Sequence, residues 1–92
     1  MIERKNYEGI YIFNPFTLLE EYEKAINEIK EIATIIYEYN IVGIKTLAYE
    51  IKKLKEGFFV TFKYSLTEEE LSKIELQAKD NDNIIKFINI KY

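Results

Sequence analysis

Twice along this chain a β-rich run gives way to a Thr-x-x-Glu step and then to an apolar stripe of helical period. The first is Thr17-Leu-Leu-Glu20, followed by Leu19, Tyr22, Ile26, Ile29, Ala33 and Ile36 at steps of three and four. The second is Thr67-Glu-Glu-Glu70, followed by Leu71, Ile74 and Ala78, with Leu66 and Leu71 spaced as a hydrophobic staple. A hydroxyl and a carboxylate three residues apart can each satisfy an orphan amide at a helix start, so both read as capping boxes. The spacing predicts a first helix from about residue 18 to 33 and a second ending near Lys79.

The runs around these helices are strands by composition. Residues 5–13 are rich in Tyr, Ile and Phe and stop at Asn14-Pro15, where proline has no amide for a ladder. After Asn40, apolar alternation falls on Val42 and Ile44 and then on Leu47, Tyr49 and Ile51. The phase changes between them, and a β-bulge between Gly43 and Thr46 accounts for it. Lys53-Leu-Lys-Glu-Gly57 reads as a hairpin tip with Gly57 at positive φ, leading into a third strand over 58–64. Asp80-Asn-Asp-Asn83 is a turn, and Ile84 to Lys91 a last strand.

The order is βαββαβ. Right-handed crossovers put both helices on one face of an antiparallel sheet, an α+β ferredoxin-like fold, with strands one and four expected at or near its centre. A chain of 92 residues, 48% of them hydrophobic, has room for one core, so residues 1–92 are expected to form a single domain. No apolar stretch follows the N-terminus as in a leader, and none is long enough to cross a membrane; a soluble cytoplasmic protein is expected.

The chain has no Cys and no His, which removes thiolate nucleophiles, imidazole bases and the commonest metal ligands. Glu68, Glu69 and Glu70 occupy consecutive helix positions at an N-terminus, a geometry for capping and not for paired acid/base work. Asp80 and Asp82 lack the Gly-spaced loop and closing Glu of a calcium site. Arg4 is the sole Arg, with no phosphate-cradling Gly loop, which leaves little for a small-molecule or acylphosphatase-like domain of this fold. No enzyme, cofactor, metal, membrane or small-molecule substrate is expected.

Net charge is −3, which disfavours nonspecific coating of nucleic acid, but the charge is polarised. Residues 16–40 and 65–83 each hold six acids against two Lys, whereas 43–64 hold five Lys against two Glu and 84–92 hold two Lys and no acid. Lys45, Lys52, Lys53 and Lys55 gather on one long strand and its hairpin. They suit either a solvated sheet edge or a phosphate-contacting surface.

Two segments resemble RNA-recognition-motif signatures: Ile10-Tyr-Ile-Phe-Asn14, and in part Lys55-Glu-Gly-Phe-Phe-Val-Thr-Phe62. A single-stranded RNA-binding module of that kind requires Tyr11 and Phe59 exposed as stacking platforms. Against it, Phe58, Val60 and Phe62 alternate as core residues do. Strand one is apolar on both faces, with Tyr7, Tyr11 and Phe13 on one and Ile10 and Ile12 on the other, so an open sheet face would meet a protein partner.

The segment Gly43-Ile-Lys-Thr-Leu-Ala-Tyr-Glu-Ile-Lys-Lys-Leu-Lys-Glu-Gly-Phe-Phe-Val60 resembles the signature of the bacterial ribosomal protein S6 family, with Tyr7-Glu8, Asn14-Pro15 and Asp82-Asn83 where that family has similar residues. Thr46 and Glu50 depart from it, standing for a second basic residue and a proline, and Val42 replaces a frequent aromatic. The resemblance implies a ribosomal component of the small subunit that binds small-subunit ribosomal RNA together with ribosomal protein S18, and it implies no reaction. Carried over by position, Lys45, Lys52, Lys53, Lys55 and Lys86 are expected RNA-binding residues and Tyr49 a partner-binding one; Arg4 and Lys5 are expected to add RNA contacts, and Ile10 and Ile12, on the apolar face of strand one, to meet the partner.

Overall fold

The computed structural model describes residues 3–92. Its elements are β1 (Lys5–Phe13), α1 (Leu19–Ile32), β2 (Ile35–Ile51), β3 (Leu54–Leu66), α2 (Glu68–Asp80) and β4 (Ile84–Lys91). The strands pair antiparallel in the order β2-β3-β1-β4. Thus β1 and β3 are central and β4 is an edge, which corrects the expectation for the last strand. Each βαβ unit skips one strand and the two units interleave: β3 fills the place beside β1, and β4 lands outside.

Residues that face each other across a ladder share a side, so register sorts the side chains. Tyr11, Phe13, Val60, Phe62, Tyr64 and Leu66 pack in one cluster with Tyr22, Ala25, Ile26 and Ile29 of α1 and Ile74 and Ala78 of α2. Burying side chains of this size contributes about 1.5–3 kcal/mol each before entropy is counted. The Tyr11 and Tyr64 hydroxyls stand 3.2 Å apart, and Tyr64 donates to Asn89 Oδ1 at 3.0 Å. Burial pushes the Tyr64 hydroxyl up to about 12 and raises that of Tyr11 further.

Only the second capping box forms. Glu70 N donates to Thr67 Oγ1 and Thr67 N to Glu70 Oε1, both at 3.1 Å. At α1 the N-cap is Leu18 and no side chain caps it. Thr17 instead belongs to the Asn14 turn, one residue before the N-cap: Thr17 Oγ1 donates to Asn14 O at 2.7 Å, and Phe16 N donates to Asn14 Oδ1 at 2.9 Å. Leu19, expected in the buried stripe, is 73% exposed, and Ala25 is buried in addition.

β2 begins at Ile35, well before the expected start beyond Asn40. Ile36 and Tyr37 favour a strand by their shape once α1 has ended, and Tyr39 stacks on Phe62 with ring centroids 5.4 Å apart. The register against β3 shifts between Ile36 and Glu38, between Ile41 and Gly43, and between Thr46 and Ile51. The expected bulge therefore lies one step earlier, at Val42, with Gly43 at φ 97. The turn also moves. Lys52 and Lys53, at φ 50 and 66, form a two-residue tip, while Gly57 sits inside β3 without positive φ. Its smallness serves a close approach instead: a Cβ there would stand 2.5 Å from Ile12 Cγ2.

Candidate nucleic-acid interface

Opposite the helices the sheet presents an open face whose rows follow from the registers. One row is Gly43, Phe59, Ile12 and Lys86; the next is Asn40, Thr61, Ile10 and Ile88; the third is Glu38, Lys63, Glu8 and Ile90. Ile12 is buried although it lies on this face, shielded by the approach of β3 at Gly57. Ile10, Phe59 and Ile88 are half-buried and Ile90 is exposed. The result is an apolar strip along β1 and β4, bordered by Lys63 and Lys86.

The β2–β3 hairpin extends past this body. β1 ends opposite Phe58, and four further residues of β3 carry the hairpin roughly 13 Å beyond it before the turn. Leu47 to Glu50 fall outside the ladder, so the outer arm is irregular on its β2 side. There Tyr49 is 83% exposed. Lys45, Lys52, Lys53 and Lys55 are all exposed, with Lys45 on the open face opposite Gly57. Two lysines at the turn place two ammonium groups at the tip of an arm, a shape suited to phosphate oxygens in a groove.

The other expected RNA contacts lie apart from this group. Lys86 is on β4, three strands across from Gly43 and so roughly 14 Å away. Lys5 begins β1, eight residues or roughly 26 Å from Phe13 at the hairpin end. Arg4 is engaged within the chain: it donates to Ser65 O at 3.2 Å, Glu70 Oε1 at 3.0 Å and Thr34 Oγ1 at 3.0 Å, and Thr34 donates to Glu70 Oε2 at 2.9 Å. Burial works to raise the Glu70 carboxyl, but the Thr67 amide, the Thr34 hydroxyl and Arg4 together hold it below the usual carboxylate range. Arg4 thus ties the start of β1 to the end of β3 and the head of α2.

Tyr11 is fully buried, so the stacking platform that an RNA-recognition-motif module needs on β1 is absent. Sequence reading did not single out Ile88 and Ile90. Their period-two spacing with Lys86 was available, but which face it served depended on the β1–β4 register. On the helix side, a cleft of about 670 Å³ between α1 and α2 has a net-acidic lining, with Glu21, Glu28, Asp80 and Asp82 against Lys24 and Lys73. Among the described residues no group of three or more acids is placed to hold a metal ion, and no helix is long and apolar enough to cross a membrane.

A split βαββαβ sheet with a bare face and a projecting basic arm defines a protein of the ferredoxin-like fold. Its relatives are ribosomal. The model of the family described as Ribosomal protein S6 matches residues 6–91. Small ribosomal subunit protein bS6 of Sulfurimonas denitrificans is 33% identical over 92 residues, covering 96% of this chain and 67% of that protein. The protein of that name from Gloeothece citriformis is 31% identical, over 95% of this chain and 52% of its own length; that from Helicobacter acinonychis is 30% identical, over 96% and 65%. The chain thus spans about half to two thirds of the length of these relatives. The crystal structure of 30S ribosomal protein S6 from Thermotoga maritima superposes with a TM-score of 0.87 at 24% identity, covering 98% of this chain and 89% of that one, and shares the fold. The chain belongs to the ribosomal protein S6 family.

Proposed function

We propose that this chain is a structural component of the small ribosomal subunit, without catalytic activity, that binds small-subunit ribosomal RNA jointly with ribosomal protein S18. The observation that carries the reading is the hairpin: in a chain of net charge −3, four exposed lysines stand on one arm that projects clear of the acidic helices. Lys52 and Lys53 at the tip, with Lys45 and Lys55 behind them, contact phosphate. Lys86 adds a contact from the far edge, and Lys5 one from the opposite end of β1. Arg4 acts chiefly through the fold, since its guanidinium already donates to Ser65 O, Glu70 Oε1 and Thr34 Oγ1. The open-face strip of Ile10, Phe59 and Ile88, together with Tyr49, receives the partner protein, and the buried Ile12 supports the strip from beneath. That division explains why neither surface suffices alone, because few lysines offset a net-acidic body.

The test measures association with small-subunit ribosomal RNA across a salt series, with and without S18, for wild type and for a variant with Lys45, Lys52, Lys53 and Lys55 changed to Glu. Each phosphate that a lysine no longer neutralises lowers the logarithmic salt slope by about 0.7–0.9. Wild type binds tightly only with the partner present, and the variant binds more weakly with a flatter slope. Tight binding by wild type alone, or unchanged partner-dependent affinity in the variant, overturns the assignment.

A further inference from the structure

Between Glu38 and Lys45 of β2 lies a six-residue run, Tyr39-Asn-Ile-Val-Gly-Ile44, with no charge and no proline. Runs of this composition on a sheet edge are templates for another strand. β2 is the outer strand of the sheet, so the backbone groups on its far side face no strand of this chain. Its side chains are open too: Tyr39, Ile41, Val42 and Ile44 are 41–57% exposed. A Cβ on Gly43 would meet nothing within 4 Å.

The bulge at Val42 determines which strand fits. Glu38 stands opposite Lys63, Asn40 opposite Thr61, Gly43 opposite Phe59 and Lys45 opposite Gly57. Those four partners alternate along β3 and lie on one side, so Glu38, Asn40, Gly43 and Lys45 share the open face. Tyr39 and Ile44, opposite Phe62 and Phe58, share the other. Without the extra residue, Glu38 and Lys45, seven positions apart, would point to opposite faces. The bulge leaves a strand with an acid at one end and a base at the other, both on one side, around an uncharged centre.

The complement of that pattern is the same strand reversed. We propose that two copies of the chain pair antiparallel through β2, with Glu38 of each opposite Lys45 of the other, Tyr39 opposite Ile44 and Asn40 opposite Gly43, joining the two sheets into one. A parallel pairing sets like charges side by side and is disfavoured, as are registers that slide the charges past each other. The charges are available: among the described residues the Glu38 carboxylate accepts only from Asn40 Nδ2 at 3.0 Å, and Lys45 forms no ion pair. A lone Lys45 would guard the edge; with Glu38 on the same face, it selects the antiparallel copy. Pairing covers Lys45, so self-association competes with any role of that lysine in RNA binding.

The test is sedimentation equilibrium of the isolated chain at low salt, from about 10 μM to about 1 mM, where small interfaces associate. Wild type shows a monomer–dimer equilibrium. Glu38→Lys alone and Lys45→Glu alone each create two like-charged pairs and weaken the dimer about tenfold or more; the double exchange restores it. A monomer at every concentration overturns the proposal and leaves the edge to a strand of another protein. So does a dimer that the single reversals do not weaken or the double exchange does not recover. The measurement reads only the oligomeric state of the free chain, so failure of the dimer is told apart from failure of the RNA-binding reading.

Discussion

The ring of Tyr64 on β3 lies across Gly9 on β1, close enough that its hydroxyl occupies the space a side chain at Gly9 would need, with Cζ only 2.9 Å from where a Cβ would stand. Gly9 is thereby the gap through which Tyr64 reaches Asn89 on β4. Replacing Gly9 with Ala should destabilise the fold by about 1–3 kcal/mol through overpacking. Urea denaturation of Gly9→Ala, Tyr64→Phe and the double variant checks the cause. Removing the hydroxyl should relieve part of the clash, so the double variant should lose less than the sum of the singles.

High pH should unfold this protein through the same tyrosines. Tyr64 titrates at about 12 and Tyr11 higher in the folded state, against an ordinary value of 10.0. Below pH 10 both states keep these protons and stability is unaffected. Above it the unfolded chain releases them first, so stability falls as pH rises through Tyr64's folded value. Tyr11→Phe and Tyr64→Phe should flatten that decline in unfolding experiments between about pH 9 and 12.

At the acid end the clasp around Glu70 takes over. Its carboxyl is held below the ordinary value of 4.5, so its contribution is complete above that value. The contribution is lost as pH falls through 4.5 and on through the folded value, because the unfolded chain binds the proton first. Glu70→Ala should cost about 1–3 kcal/mol at pH 7, removing both the capping box and the charged hydrogen bonds to Arg4 and Thr34. The difference from wild type should narrow in urea melts repeated toward pH 3.

Lysine is a poor occupant of a turn that needs positive φ at both positions, where Asn-Gly is preferred. Changing Lys52 to Asn and Lys53 to Gly should therefore stabilise the chain by about 0.5–1 kcal/mol. If the tip contacts phosphate as proposed, the same variant should bind small-subunit ribosomal RNA more weakly. Thermal melts and salt-dependent binding on one preparation read both effects.

β1 and β4 were legible to the residue because a proline turn and an Asp/Asn turn bound strongly apolar runs. The start of β2 was not, since Thr34 to Asn40 carry no breaker after α1 and the strand depends on Tyr39 finding Phe62. The Thr17 box failed because the turn at Asn14 holds Thr17 one residue before the N-cap Leu18, a local geometry that a spacing rule does not weigh. The basic hairpin was visible in composition. Its projection was not, because it depends on how much longer β2 and β3 are than β1. Arg4 looked like a free cation until the fold brought Glu70 and Thr34 to it from 66 and 30 residues away.

The interleaved strand order also sets a sequence of events. β1 emerges first from a synthesising ribosome, yet both of its partners come later, β3 about fifty residues on and β4 last. Only the β2–β3 hairpin joins strands adjacent in the chain, so it closes a short loop while β1 must close a long one. The lysine-bearing arm is therefore the part of the sheet that can organise before the rest has been made, and β1 is threaded between structures already begun.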